Sequence, residues 1–206
     1  MRVLLFLNVL LLAWSGFAQK SIKKSVLDDK ISSIRIDGEN CYLITLATHN
    51  KNEIIVEAQI DGEYSNDLDL IVSEDGNTVL VSAGFQANFK HPNDKLSAHK
   101  VISISLNIIV PIWKDVLLYG TNSRVIAKGK FRNLNISLAD GDCKLVDVSD
   151  IVTINTQSGD ISAASKRATI KAHSKYGEVS PNPIPNGGAQ YMLNTVTGNI
   201  VLHKTE

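Results

Sequence analysis

From residue 111 onward the chain alternates apolar and polar positions with a period of two, in runs too short to make a helix. Val116 and Leu118, Leu134 and Ile136, Val152 and Ile154, Ile170 and Ala172, and Tyr191 and Leu193 point one way, while Asn135, Ser137, Thr153, Asn155, Lys171 and His173 point the other. Residues two apart share one face of a strand, so each run reads as a short strand with an apolar inner side. Each is followed by a turn tetrad: Asp140-Gly141-Asp142-Cys143, Ser158-Gly159-Asp160-Ile161, Tyr176-Gly177-Glu178-Val179 and Thr197-Gly198-Asn199-Ile200. The first three glycines are 18 residues apart, and the last interval is 21, with the extra residues falling in the loop Pro181–Gly188. Stepping back 18 from Gly141 reaches Ser123, a first rung without its glycine. Two residues after each anchor stand Val125, Cys143, Ile161, Val179 and Ile200. Strands this short bury a core only by stacking, about 4.8 Å apart, into ladders. The expectation is an all-β, single-stranded β-solenoid with about 18-residue coils; an up-and-down antiparallel meander is the rival.

The first half is the same material with a less regular period. Ile31 to Ile36, Cys41 to Ala47, Glu53 to Ile60, Leu68 to Val72, Thr78 to Ser82 and Val101 to Val110 read as strands, with Gly, Asn and Asp turns between them. Gly84 to Lys100 reads as an exposed polar loop. The expected organisation is one domain over residues 19–206, with irregular strands in 24–110 and regular coils in 111–204.

Residues 1–18 carry one cation, Arg2, an apolar run from Val3 to Trp14, and small residues ending at Ala18, the pattern of a cleaved export signal. The run is shorter than the roughly 20 residues of a spanning helix, so the mature form is expected to have no membrane span. Loss of Arg2 leaves 20 Lys and Arg against 21 Asp and Glu. A nearly neutral chain has no long-range field to gather nucleic acid. Export places the two cysteines, Cys41 and Cys143, where a disulfide between them is permitted; the register also puts Cys143 inside, as a small hydrophobe.

The linked features, an apolar strand ending in Val-Pro (Ile104 to Pro111) followed by Ser158-Gly159-Asp160-Ile161 and Thr197-Gly198-Asn199-Ile200, resemble the putative-adhesin family of exported bacterial β-solenoids, the head-domain and auto-transporter-adhesin-like group. The resemblance covers most of residues 30 to 204. It implies a right-handed parallel β-helix in the periplasm, at the cell surface or outside the cell, with no enzyme chemistry and no cofactor to carry over.

Three constellations carry candidate chemistry. Asp142, Asp160 and Glu178, one per coil, could form a carboxylate ladder for a hard cation; the alternative is that they bond the local turn backbone. His49, His91, His99, His173 and His203 lack the paired spacing of zinc sites. Lys128, Lys130, Arg132, Lys144, Lys166, Arg167 and Lys171, with Trp113, Tyr119, Tyr176 and Tyr191, could serve a polysaccharide along an open face. No nucleophile elbow or converging set of titratable groups names a catalytic residue. The sequence therefore predicts a non-enzymatic surface for a cell-envelope protein or glycan, with a polysaccharide-active β-helix enzyme as the alternative, and it permits a homodimer through open strand edges.

Overall fold

The computed structural model describes residues 19–62, 67–86, 89 and 102–206. The export signal read at 1–18, most of the polar loop after Gly84, and with it His91 and His99, lie outside the described residues. Period-two alternation makes every element a strand. In chain order they are β1 (Gln19–Val26), β2 (Ser33–Gly38), β3 (Cys41–His49), β4 (Glu53–Gly62), β5 (Leu68–Asp75), β6 (Thr78–Phe85), β7 (Ile102–Pro111), β8 (Asp115–Gly120), β9 (Arg124–Leu138), β10 (Cys143–Thr156), β11 (Ile161–Ser165), β12 (Ala168–Ser174), β13 (Ala189–Thr195) and β14 (Ile200–Lys204). β1 was not foreseen.

All fourteen belong to one mixed sheet that turns a corner at β9 and β10. The start of β9 pairs with β3, through Ile44 and Val125, whereas its end pairs with β8, through Val116 and Leu134. β10 divides in the same way, with β11 on its first half and β13 on its second. At the bend Gly129, Asp147 and Asp150 have φ of 124°, 45° and 64°, and the β9–β10 register slips on either side of Val148. Glycine and aspartate are among the residues that tolerate such bulged backbone. The first wall runs β1–β4–β7–β3–β9–β10–β11–β14, and the second runs β5–β6–β2–β8–β9–β10–β13–β12. Their inner residues form one core, with Phe131 fully buried at the corner.

This is not the parallel β-solenoid or right-handed β-helix of regular 18-residue coils that the repeat predicts. One reason is direction: β1 with β4, β4 with β7, and β5 with β6 are antiparallel. The other is order. Val116, Leu134 and Val152 do stack in sequence, but the next residue in the ladder is Tyr191, and Ile170 lies beyond it. On the first wall Cys143 and Ile161 are followed by Ile200, with Val179 outermost. The last coil is thus inserted between the third and fourth, which no continuously wound coil permits. Ile170 and Tyr191 occupy equivalent inner positions, so alternation alone does not distinguish the two orders.

Candidate functional site

The stacked glycine turns show what the tetrads do. The order in space is Ser123, Gly141, Gly159, Gly198, Gly177, and a Cβ on each glycine would fall well inside 3.0 Å of the preceding rung's carbonyl oxygen. Only glycine lets the backbones approach so closely. Beneath them runs a ladder of hydroxyls three residues before the glycine. Thr156 Oγ1 accepts the Gly159 N–H (3.2 Å) and lies 3.3 Å from its acceptor Gly141 O. Thr195 Oγ1 accepts from Gly198 N (3.1 Å) and donates to Gly159 O (3.2 Å). Ser174 Oγ accepts from Gly177 N (2.9 Å) and donates to Gly198 O (2.7 Å). The recurring Thr/Ser-x-x-Gly spacing could have revealed this ladder, although Leu138 interrupts it at Gly141.

The acidic ladder does not assemble. Asn199 sits between Asp160 and Glu178. Asp142 Oδ1 accepts the Asp160 N–H (3.0 Å), Asp160 Oδ1 the Asn199 N–H (2.7 Å), and Asn199 Oδ1 the Glu178 N–H (2.9 Å). Arg124 Nη2 lies 3.6 Å from Asp142 Oδ2 at the other end. The Asp142 and Asp160 carboxylates serve the turns, and among the described residues no group of three His, Cys, Asp or Glu could hold a metal ion.

Cys41 and Cys143 are free and buried. Strand β9 separates Cys143 from β3, and two strand spacings, about 9.6 Å, exceed what a disulfide spans. Burial, helped by the charge of Asp37, pushes the Cys41 thiol up to about 12. Burial and Asp142 push Cys143 up as well.

The proposed polysaccharide residues separate. Tyr191 is core, its hydroxyl donating to Val148 O. Lys128 and Lys144 face out from the first wall, Lys171 faces out from the second, and Lys166 and Arg167 lie in the turn before β12. Trp113, Tyr119 and Tyr176 are exposed. His173 and His203 sit on opposite walls, and His49 Nε2 is 2.7 Å from Glu53 O.

What the structure does bring together is a flat outer face on the second wall. One row across parallel strands reads Tyr119, Ser137, Asn155, Asn194, His173, and the next reads Leu117, Asn135, Thr153, Met192, Lys171. Neighbours within a row are about 4.8 Å apart, so each row is about 19 Å long. Asn194 Nδ2 donates to Asn155 Oδ1 (3.0 Å), and the Arg35 guanidinium lies 5.9 Å from the Tyr119 ring centre. A shallow depression of about 110 Å³ lies among Ile151, Thr153, Thr169, Lys171, Gln190 and Met192. Ligand pockets that enclose a small molecule are several times larger. At the row's edge Asp115 accepts from Arg132 Nε (2.8 Å) and Asn133 Nδ2 (2.7 Å), and these bonds hold its carboxyl below the usual range.

No protein-family model and no curated protein matches the chain. Among solved structures, a putative cell adhesion protein from Clostridium sporogenes ATCC 15579 superposes with a TM-score of 0.66 at 10% identity, over 92% of this chain and 100% of that one. The two proteins share a fold. A putative adhesin from Bacteroides fragilis NCTC 9343 matches at 13% identity and TM-score 0.42, over 89% and 97% of the two chains. A putative adhesin from Parabacteroides distasonis ATCC 8503 matches at 14% identity and TM-score 0.31, over 90% and 98%.

Proposed function

We propose that this is an exported, adhesin-like, non-catalytic protein that holds an extended glycan against the outer face of its second wall. The observation that carries the reading is the rigid array of amides and hydroxyls on Asn135, Ser137, Thr153, Asn155 and Asn194, bordered by the exposed ring of Tyr119 and the apolar side chains of Ile151 and Met192. Parallel strands fix these groups at regular spacing, so little entropy is lost when a repeating ligand lies along them. Amides and hydroxyls both donate and accept, which suits sugar hydroxyls, while a tyrosine ring and a thioether suit the apolar face of a pyranose. The likeness in fold to a putative cell adhesion protein supports the assignment.

The alternative, a polysaccharide-cleaving enzyme, needs a carboxyl that retains its proton near neutral pH as general acid. Among the described residues, the carboxyls of Asp28 and Asp115 are both moved down, each through hydrogen bonds to the ionised form. Neither has been tuned for that role.

The test is a glycan panel probed with residues 19–206, followed by Thr153→Arg and Tyr119→Ala on any ligand found. Binding of extended oligosaccharides without cleavage, weakened at least tenfold by either change, is the expected result. No binding, binding indifferent to both changes, or the appearance of shortened products would overturn the reading.

A further inference from the structure

The two ends of the second wall are β5 and β12. Among the described residues β5 pairs only with β6, and β12 only with β13. Each therefore presents a line of unpaired backbone groups, a template for another strand. On β5, Asp67 O accepts from Gln86 N across the β5–β6 pair, so alternation turns the backbone groups of Leu68, Leu70 and Val72 to the open edge. The Leu70 N–H is met there by its neighbour's side chain, Asp69 Oδ1, at 3.0 Å. On β12, the loop Pro181–Gly188 covers only the beginning: Ala168 N–H donates to Pro185 O (2.9 Å), Arg167 Nε to Asn186 O (3.2 Å) and Thr169 Oγ1 to Gly187 O (3.0 Å). The same alternation turns Ile170 and Ala172 to the edge beyond that loop. Their side chains are only partly buried, because the core stops there.

The edges carry opposite charge. Residues 67–75 contain Asp67, Asp69, Glu74 and Asp75 and no cation; residues 166–175 contain Lys166, Arg167, Lys171 and Lys175 and no acid. All but Asp67 are exposed, and Asp67 is half-buried. A β5–β5 or β12–β12 contact between two copies would set like charges side by side, which disfavours a symmetric dimer through either edge. On the part of β12 beyond that loop, an antiparallel β12–β5 contact with Ile170 opposite Leu70 places Lys171 opposite Asp69. It also puts the core-facing Ala172 opposite Leu68.

We propose that the chain associates head to tail with further copies of itself, the basic β12 edge of one accepting the acidic β5 edge of the next. Such a contact is heterologous: each copy keeps one edge free, so assembly continues instead of closing at a pair. The second walls of successive copies then join into one longer outer face.

The test is sedimentation-velocity centrifugation of residues 19–206 over a concentration series at low and high salt, with two charge-reversal variants, K171E/K175E and D69K/E74K, each confirmed as folded by its melting curve. The wild type is expected to associate at low salt and to weaken roughly tenfold or more by 0.5 M salt, as screened charges should. Each variant alone neutralises one edge, reversing two of its four charges, sets like charges at the 171–69 pair, and should remain monomeric. Their equimolar mixture restores opposite signs at the 171–69 pair in both kinds of contact and should associate. A wild type that is monomeric throughout, a variant that associates like the wild type, or a mixture that stays monomeric would each overturn the proposal.

Discussion

Replacing Gly159 by alanine tests whether close approach of the turn backbones holds the stack together. The added Cβ meets Gly141 O, its carbon and Asp142 N, all of them backbone atoms that cannot rotate away. The rung must shift outward, and two bonds between rungs are directly in its path: Asp160 N to Asp142 Oδ1 (3.0 Å) and Cys143 N to Asp160 O (2.9 Å). At about 1 kcal/mol net for each bond, and about 1–3 kcal/mol for forcing an extra methyl into a packed site, the cost is about 3–5 kcal/mol. For a chain of this size that lowers Tm by about 6–20 °C. Gly188→Ala is the matched control, because a Cβ there has nothing within 4 Å. It should be neutral, or stabilise by a few tenths of a kcal/mol through the unfolded chain. Differential scanning calorimetry of both variants reads the comparison. Equal melting temperatures for Gly159→Ala and the wild type would refute the account of the turns.

Two further predictions concern buried groups. Thr156→Val keeps the shape but removes the hydroxyl between Gly159 N and Gly141 O; urea titration should show a loss of about 2 kcal/mol with an unchanged m value, and a loss below about 0.5 kcal/mol would discount the hydroxyl ladder. Cys41 has a folded value of about 12 against 9.0 for a free thiol, and Cys143 is raised too, so both thiols keep their protons in the folded state longer than in the unfolded one. Their contribution to stability is complete below about pH 9 and is lost as pH rises from there toward 12, at up to about 1.4 kcal/mol per pH unit for each thiol. The Cys41→Ala/Cys143→Ala double variant should lose stability less steeply than the wild type between pH 9 and 11, and equal slopes would show that the buried thiols do not govern the alkaline limb.

Strand positions were legible in the sequence because inward residues such as Ile34, Ile36, Leu134 and Ile136 alternate with polar ones, and burial enforces that pattern wherever a strand lies. The 18-residue register was legible for the same reason, and Val116, Leu134 and Val152 are indeed ladder neighbours. Direction was not legible. Alternation reads the same along an antiparallel strand, so nothing in Glu53–Gly62 or Leu68–Asp75 announces reversed pairing. β1 escaped notice because Lys20, Lys23 and Lys24 give it a polar cast. The outer face was visible only as polar residues between apolar ones. Its coherence depends on Asn155 lying beside Asn194, a pairing across 39 residues that follows from the displaced last coil.

That displacement also bears on how the chain matures. Residues 168–180 come before 189–204 in the chain, yet they lie outside them in the stack. Until the last segment arrives, β10 and β11 lack their next neighbours, and β12 has no strand to lie against. The domain therefore cannot be completed coil by coil as the polypeptide emerges. Packing at the β10–β12 end waits for residues 189–204, which must enter between elements made before them.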